Sequence, residues 1–347
     1  VSEAGNSLRQ LDRGVRLVVW VAILSAGAGA AYGALTRGEP FVGGAAGAVN
    51  GGILSFLEIF VLGRWGRNAL LRLPFAAHFA IRVALYVVAV VALNAATLAL
   101  TGAGTALAGI DRRDVEFALT VCVAINLLFS VNELLGPGVL FAFAAGRYRR
   151  PRREERALLY LDLVGSTGLA ERLGEERFLD FLNEFFADVT AEIVAQGGEI
   201  HKYVGDEVIA VWPAGTDAIG PIRATLAARR RLEARAGLYR ARFGQTPAFR
   251  AAIHAGPVVI GELGAGKKEI ALIGDAMNTA ARVLEAARET GAGALISAPY
   301  FDSMRAEPAG FSARRLAPIP LRGKSAPLAL VALEARQGGL PAATGSI

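Results

Sequence analysis

Cysteine occurs once and histidine three times in a chain of 347 residues. A lone thiol excludes a disulfide framework and any cysteine-based metal site; Cys122, inside an apolar run, reads as a packing or lipid-facing residue. His201 and His254 have no carboxylate or second ligand at metal-binding spacing, so core or edge packing accounts for them. Charge is also scarce, but only in the first half. The net charge of +6 would point to nucleic acid if it were spread over a folded surface. Instead six arginines (147, 149, 150, 152, 153 and 156) crowd into ten residues just after the last apolar run. They mark the cytoplasmic edge of a membrane, and nucleic acid is not expected as a partner.

What the first half has in abundance is apolar sequence, which lifts the hydrophobic share to 53%. A hydrocarbon core about 30 Å thick takes about 20 apolar residues per helix. Stretches 16–36, 41–62, 75–100 and 115–145 qualify, the last with a kink expected at Gly136-Pro137-Gly138. Arg9, Arg13 and Arg16 precede the first stretch, Arg64, Arg67 and Arg72 separate the second from the third, and the arginine cluster follows the fourth. By the positive-inside rule both termini are cytoplasmic, and the lipid bilayer of the plasma (inner) membrane is the expected partner of this half. The first stretch also has the look of a signal peptide, with small residues near Ala31; cleavage there would not change the side on which the second half lies. The connections on the far side are too short for a sensor domain, so any ligand or signal must be read by the helices themselves.

Gly29 and Gly33, and Gly43, Gly47 and Gly51, recur every fourth residue and allow close helix packing, within one chain or between two. Asn50, Glu58, His78, Arg82, Asn94, Asn126, Asn132 and Glu133 are polar residues within the spans. Glu58, His78 and Arg82 lie where they can snorkel to the cytoplasmic face, and structural satisfaction is favoured over ligand binding for them. The expected domains are a cytoplasmic segment 1–15, an α-helical membrane domain 16–146 of four transmembrane helices, a basic linker 147–156, a soluble domain 157–335 and a tail 336–347.

In the soluble domain the pattern turns to alternating strands and helices. An apolar strand, Ala157 to Leu161, delivers Asp162 to its end, followed by Gly165-Ser166-Thr167. An amphipathic helix over 175–196 follows, with Phe178, Leu182, Phe185, Phe186, Val189 and Ile193 on one face and Gly197-Gly198 closing it. Residues 199–212 form a hairpin with Gly205-Asp206 at its tip. Two aspartates at adjacent strand ends offer the hard oxygen ligands that a pair of divalent ions needs. Downstream, Asn278 and Arg282 are four apart and share a helix face, with Asp275 expected as the cap.

From Asp162 to Arg322-Gly323-Lys324 these residues resemble the class III adenylate and guanylate cyclases. The first-strand Asp with its Gly-Ser-Thr matches Asp162 and 165–167, the Lys-x-x-Gly-Asp hairpin matches Lys202 to Asp206, and the Gly-x-x-x-Asn-x-x-x-Arg helix matches Gly274 to Arg282. The resemblance implies an α+β domain with a ferredoxin-like βαββαβ core. It implies conversion of ATP to 3′,5′-cyclic AMP and pyrophosphate, a phosphorus-oxygen lyase reaction, with two Mg²⁺ or Mn²⁺ ions per site on Asp162 and Asp206. Asn278 and Arg282 would be catalytic, and Arg250 with Arg322 or Lys324 would contact the triphosphate. In the family the site lies between two catalytic domains, so a homodimer is implied.

Lys202 favours adenine, because it can donate to the N1 acceptor where guanine presents a donor. Its usual partner falls on Ala271, which has no side-chain hydrogen bond to give. Either backbone groups or Glu269 read the amino group, or guanylate and mixed specificity come within reach. Gly205-Asp206-Glu207-Val208 also resembles the Gly-Gly-Asp-Glu-Phe signature of diguanylate cyclases but lacks its first Gly and its Phe. A catalytically silent nucleotide-binding module is the remaining alternative.

Overall fold

The computed structural model describes residues 3–60, 75–101, 112–135, 146–213, 218–266, 268–304, 311–320 and 327–335. The chain divides into two compact units, Val1–Leu140 and Phe141–Ile347. Arg322, Lys324 and the Gly136-Pro137-Gly138 kink lie outside the described residues.

The first unit is helical: α1 (Glu3–Thr36), α2 (Pro40–Phe56, continuing as a π-helical turn to residue 60), α3 (Phe75–Thr101) and α4 (Arg112–Leu135). Pro40 at the first turn of α2 suits its fixed φ and missing N–H. Val18–Thr36 and Pro40–Phe60 are long and apolar enough to cross a membrane, while Ala76–Ala92 and Val115–Val131 are shorter apolar segments. The glycine series packs α1 on α2 within the one chain. A methyl group built on Gly29 would collide with the Gly43 carbonyl, and one on Gly47 with the Ser25 carbonyl. Cys122 is buried with Val21, Leu54, Tyr86, Val90 and Ile125, a packing residue rather than a lipid-facing one. Glu58 and Arg82 do not snorkel; both are buried and paired at 3.0 Å, and the Tyr86 hydroxyl donates to the same carboxylate. The opposite charge takes the place of a reach toward the headgroups, since a buried charge needs a partner.

The second unit is an α+β domain on one mixed sheet. Its elements are β1 (Arg152–Leu163), α5 (Ser166–Leu173), α6 (Glu175–Ala195), β2 (Glu199–Val204), β3 (Glu207–Pro213), α7 (Gly220–Ala234), α8 (Ala236–Phe243), β4 (Phe249–Leu263), β5 (Glu269–Ile273), α9 (Asp275–Thr290), β6 (Ala294–Ser297), α10 (Ala298–Asp302), β7 (Phe311–Arg315) and β8 (Leu330–Ala335). The strand order β2-β3-β1-β4-β6-β8-β7, with β5 on β4, contains the antiparallel βαββαβ order of a ferredoxin-like core. β4 and β6 pair in parallel, which makes the extended sheet mixed.

β1 is central and buried on both faces, which is why it reads as an unbroken apolar run. Alternation sends Leu159, Leu161 and Leu163 into the core under α6, α7 and α8, and Leu158 and Tyr160 into the core under α9. Asp162 is in phase with the second set, so its carboxylate emerges on the α9 side. α6 follows its sequence pattern closely; Phe181 joins its buried face, while Phe178 and Phe186 are only partly buried. Asp188, also on α6, is buried and accepts from Arg231 Nε at 2.8 Å and the Tyr239 hydroxyl at 2.7 Å, and it pairs with Arg235. These bonds fix α7 and α8 against α6.

Candidate active site

The β2–β3 hairpin turns on Gly205, whose φ of +62° is left-handed backbone that glycine adopts without a Cβ clash. This turn carries the half-buried Asp206 to the sheet end at which β1 presents Asp162. Asp162 lies opposite Glu207 on β3 and opposite Arg250 on β4. The three carboxylates of Asp162, Asp206 and Glu207 thus share one end of the sheet. Burial first, and then the charge of Asp162, push the Glu207 carboxyl up to about 7. Arg288 opposes that effect and Asp206 adds to it.

The fourth member of this cluster is Arg288, in the last turn of α9. Its Nε donates to Asp162 Oδ2 at 3.0 Å and its Nη2 to Oδ1 at 2.7 Å, and the guanidinium lies 3.8 Å from Glu207. Neither Glu207 nor Arg288 was expected in this site from the sequence. Glu207 was readable as the neighbour of Asp206 in a hairpin tip that closes against β1. Arg288 lies six residues past Arg282, and nothing local links it to Asp162.

Among the described residues, no three His, Cys, Asp or Glu side chains form a ready-made metal cage. Mg²⁺ or Mn²⁺ bound to a nucleotide takes one or two carboxylates and fills its shell with phosphate oxygens and water, and Asp162 and Asp206 are the carboxylates that would hold it. The donor set fits the charge as well: the Asp162 carboxylate already holds a cation, the Arg288 guanidinium.

The other singled-out residues are placed apart. Lys202 is exposed on β2, just past a bulge at Ile200–Lys202, and its Nζ is 3.6 Å from Glu269 on β5. Ala271 pairs with Gly261 in the β4–β5 ladder. Asn278 is exposed on α9, ten residues before Arg288 and so about 15 Å from it along the helix axis. Arg282 is turned onto Glu285, donating from Nη1 at 2.7 and 2.8 Å. The helix meets Asp162 through Arg288. Asp275 is the first helical residue of α9 and the cap position is Gly274, so Asp275 adds favourable charge to the first turn instead of occupying the cap. His254 hydrogen-bonds Ser297 Oγ at 2.8 Å, and burial holds the His201 imidazole below its usual range. Both histidines sit in packing environments.

Fold and motif order together define a nucleotidyl cyclase. The family model for the adenylate and guanylate cyclase catalytic domain matches residues 149–329, and the chain belongs to that family. It is 36% identical over 222 residues to Adenylate cyclase 2 of Rhizobium meliloti (strain 1021), covering 63% of this chain and 61% of that protein. It is 34% identical over 175 residues to an uncharacterized protein of Mycobacterium tuberculosis (strain ATCC 25618 / H37Rv), covering 48% of this chain and 32% of the relative. The chain therefore spans about three fifths of the first relative and about a third of the second. Among solved structures, a bacterial light-regulated adenylyl cyclase superposes with a TM-score of 0.55 at 19% identity, over 64% of this chain and 65% of that one. That likeness concerns the fold. The family uses divalent metal ions, a nucleotide substrate and dimeric catalysis.

Proposed function

We propose that the protein is a membrane-bound adenylate cyclase that converts ATP to 3′,5′-cyclic AMP and pyrophosphate at a homodimer interface. The observation that carries this reading is the pair Asp162 and Asp206, delivered to one sheet end by a central strand and a glycine turn, in a domain that also presents Lys202. The name of the Rhizobium meliloti relative supports adenine as the base. When bound, two divalent ions on Asp162 and Asp206 supply the Lewis-acid charge that lowers the pKa of the ribose 3′-hydroxyl and neutralises the triphosphate.

This chain's residues supply recognition and charge. Lys202 donates to adenine N1, and Glu269, beside it, accepts from the exocyclic amino group in place of Ala271. Arg282 leaves Glu285 and joins Asn278 of the same chain at the α-phosphate of the site whose metal ligands belong to the other chain. There they meet charge that develops only in the transition state. Arg250, with Arg322 or Lys324, holds the remaining phosphates.

The helical unit is read as a four-span membrane domain with the N-terminus and catalytic domain in the cytoplasm of the plasma (inner) membrane. Its outward face supports this: Trp20 is 63%, Leu24 67%, Phe41 90% and Val88 65% exposed, which suits lipid and not water. The bounds 16–146 are part of the same proposal, as is a signal read within the bilayer, while the catalytic bound expected at 157 moves forward because β1 already begins at Arg152.

The test is purified full-length protein with Mn²⁺ and either ATP or GTP. Cyclic AMP formation that disappears in Asp206→Ala is expected. Cyclic GMP in comparable yield would replace the adenylate reading with mixed specificity, and no product from either nucleotide would leave a silent binding module.

A further inference from the structure

Resting on the reading of Asp162 and Asp206 as metal ligands, we infer that Arg288 is the resting counter-ion of the metal site, which a divalent cation must displace in order to bind.

Arg288 engages both oxygens of Asp162 in a bidentate fork, at 3.0 and 2.7 Å. It also lies 3.8 Å from Glu207 and feels the charge of Asp206, so every carboxylate of the cluster acts on this one guanidinium. A divalent ion on the same carboxylates would sit within a few ångströms of it. Unit and double positive charges about 4 Å apart repel by several kcal/mol even at a protein-surface dielectric. The two occupancies therefore exclude each other.

The pair is built to open from one side. The Asp162 side chain is 6% exposed and held in the central strand between β3 and β4, whereas Arg288 is 46% exposed. Asp162 cannot follow a departing partner, but the guanidinium reaches water by rotating its own side chain. In the last turn of α9 its released charge still lies near the negative end of the helix dipole. Without Arg288, Asp162 would lose the guanidinium that binds both of its oxygens, and three carboxylates would be left to share one sheet end. The arginine thus stabilises the empty domain and weakens apparent metal affinity by the fraction of time it occupies the site.

The test is titration of Mn²⁺ alone into full-length protein in detergent without nucleotide, with free Mn²⁺ read by electron paramagnetic resonance. Asp162→Asn abolishes the site's binding and identifies the signal. Arg288→Gln is expected to bind Mn²⁺ about 10-fold more tightly than wild type, with Arg288→Lys in between because it keeps the charge and loses the fork. Thermal unfolding in EDTA should show Arg288→Gln melting below wild type, with Mn²⁺ raising its melting temperature more than it raises that of wild type. Unchanged or weaker Mn²⁺ affinity in both Arg288 variants, with Asp162→Asn still abolishing binding, overturns the counter-ion role alone. Wild-type protein with no Mn²⁺ binding sensitive to Asp162→Asn overturns the metal-ligand reading, and the inference falls with it.

Discussion

Lys202 Nζ and the Glu269 carboxylate face each other at 3.6 Å, joining β2 to β5 at the place proposed to read the base. Both side chains are about half exposed, so the pair contributes little to stability, and its interest lies in recognition. A lysine donor beside a carboxylate acceptor matches N1 and the amino group of adenine. Glu269→Ala is expected to lower kcat/KM for ATP about 10-fold, the cost of one charged hydrogen bond, and to affect GTP much less. Steady-state rates with both nucleotides check this; an unchanged ATP to GTP ratio returns the reading of the amino group to backbone atoms.

The α9 contact with Asp162 comes from Arg288, and the proposed homodimer assigns Asn278 and Arg282 to the site whose metal ligands belong to the other chain. Asp206→Ala and Arg282→Ala should each be inactive alone. Mixed in equal amounts, they should regain about a quarter of wild-type activity, because half the dimers are mixed and each mixed dimer has one intact site. A mixture as inactive as its components would show that one chain supplies the whole site.

Glu207 gives the catalytic domain a pH signature. Its carboxyl is pushed up from 4.5 to about 7 by burial and by Asp162, so the folded state keeps a proton that the unfolded chain releases. Stability therefore declines as pH rises from about 4.5 to about 7 and levels off above that. Glu207→Gln should remove this decline and leave the domain on the order of 2 kcal/mol more stable than wild type at pH 8. Denaturant unfolding in EDTA at several pH values measures it, and parallel curves for the two proteins would refute the assignment.

Asp188 is 1% exposed and surrounded by Arg231, Arg235 and Tyr239. Asp188→Ala strands those donors and should cost about 3 kcal/mol, lowering the melting temperature without changing KM for ATP in protein that remains folded. Asp188→Asn, which can still accept from Tyr239, should lose less.

The sequence was most informative where chemistry and periodicity coincide. The unbroken apolar run Ala157–Leu161 specifies a buried strand, the Gly205-Asp206 tip a hairpin, and the spacing of Asn278 and Arg282 a shared helix face. Each depends on residues within one element. Arg288 and Glu285 were not legible as partners of the candidate site, because their meaning depends on which side chains the fold or the helix surface brings to Asp162 and Arg282. Glu58 and Arg82 show the same limit: hydropathy locates two costly charges, but only packing reveals that each is the other's solution. The Gly29 and Gly43 series was readable as a contact face, and its partner became known only from the structure.

The basic segment after the helical unit is already woven into the catalytic sheet. β1 begins at Arg152, Pro151 packs against Gly261, and the Glu262 amide donates to the Tyr148 carbonyl at 3.1 Å. A soluble fragment cut at residue 152 would expose the flank of β4 and lose the packing of Tyr148 against the α9-side core. The shortest autonomous cyclase fragment should therefore start at or before Arg147. From Tyr148 onward the chain that leads to Asp162 is tied to the sheet by its own backbone bond, so a pull at Tyr148 is a pull on the sheet.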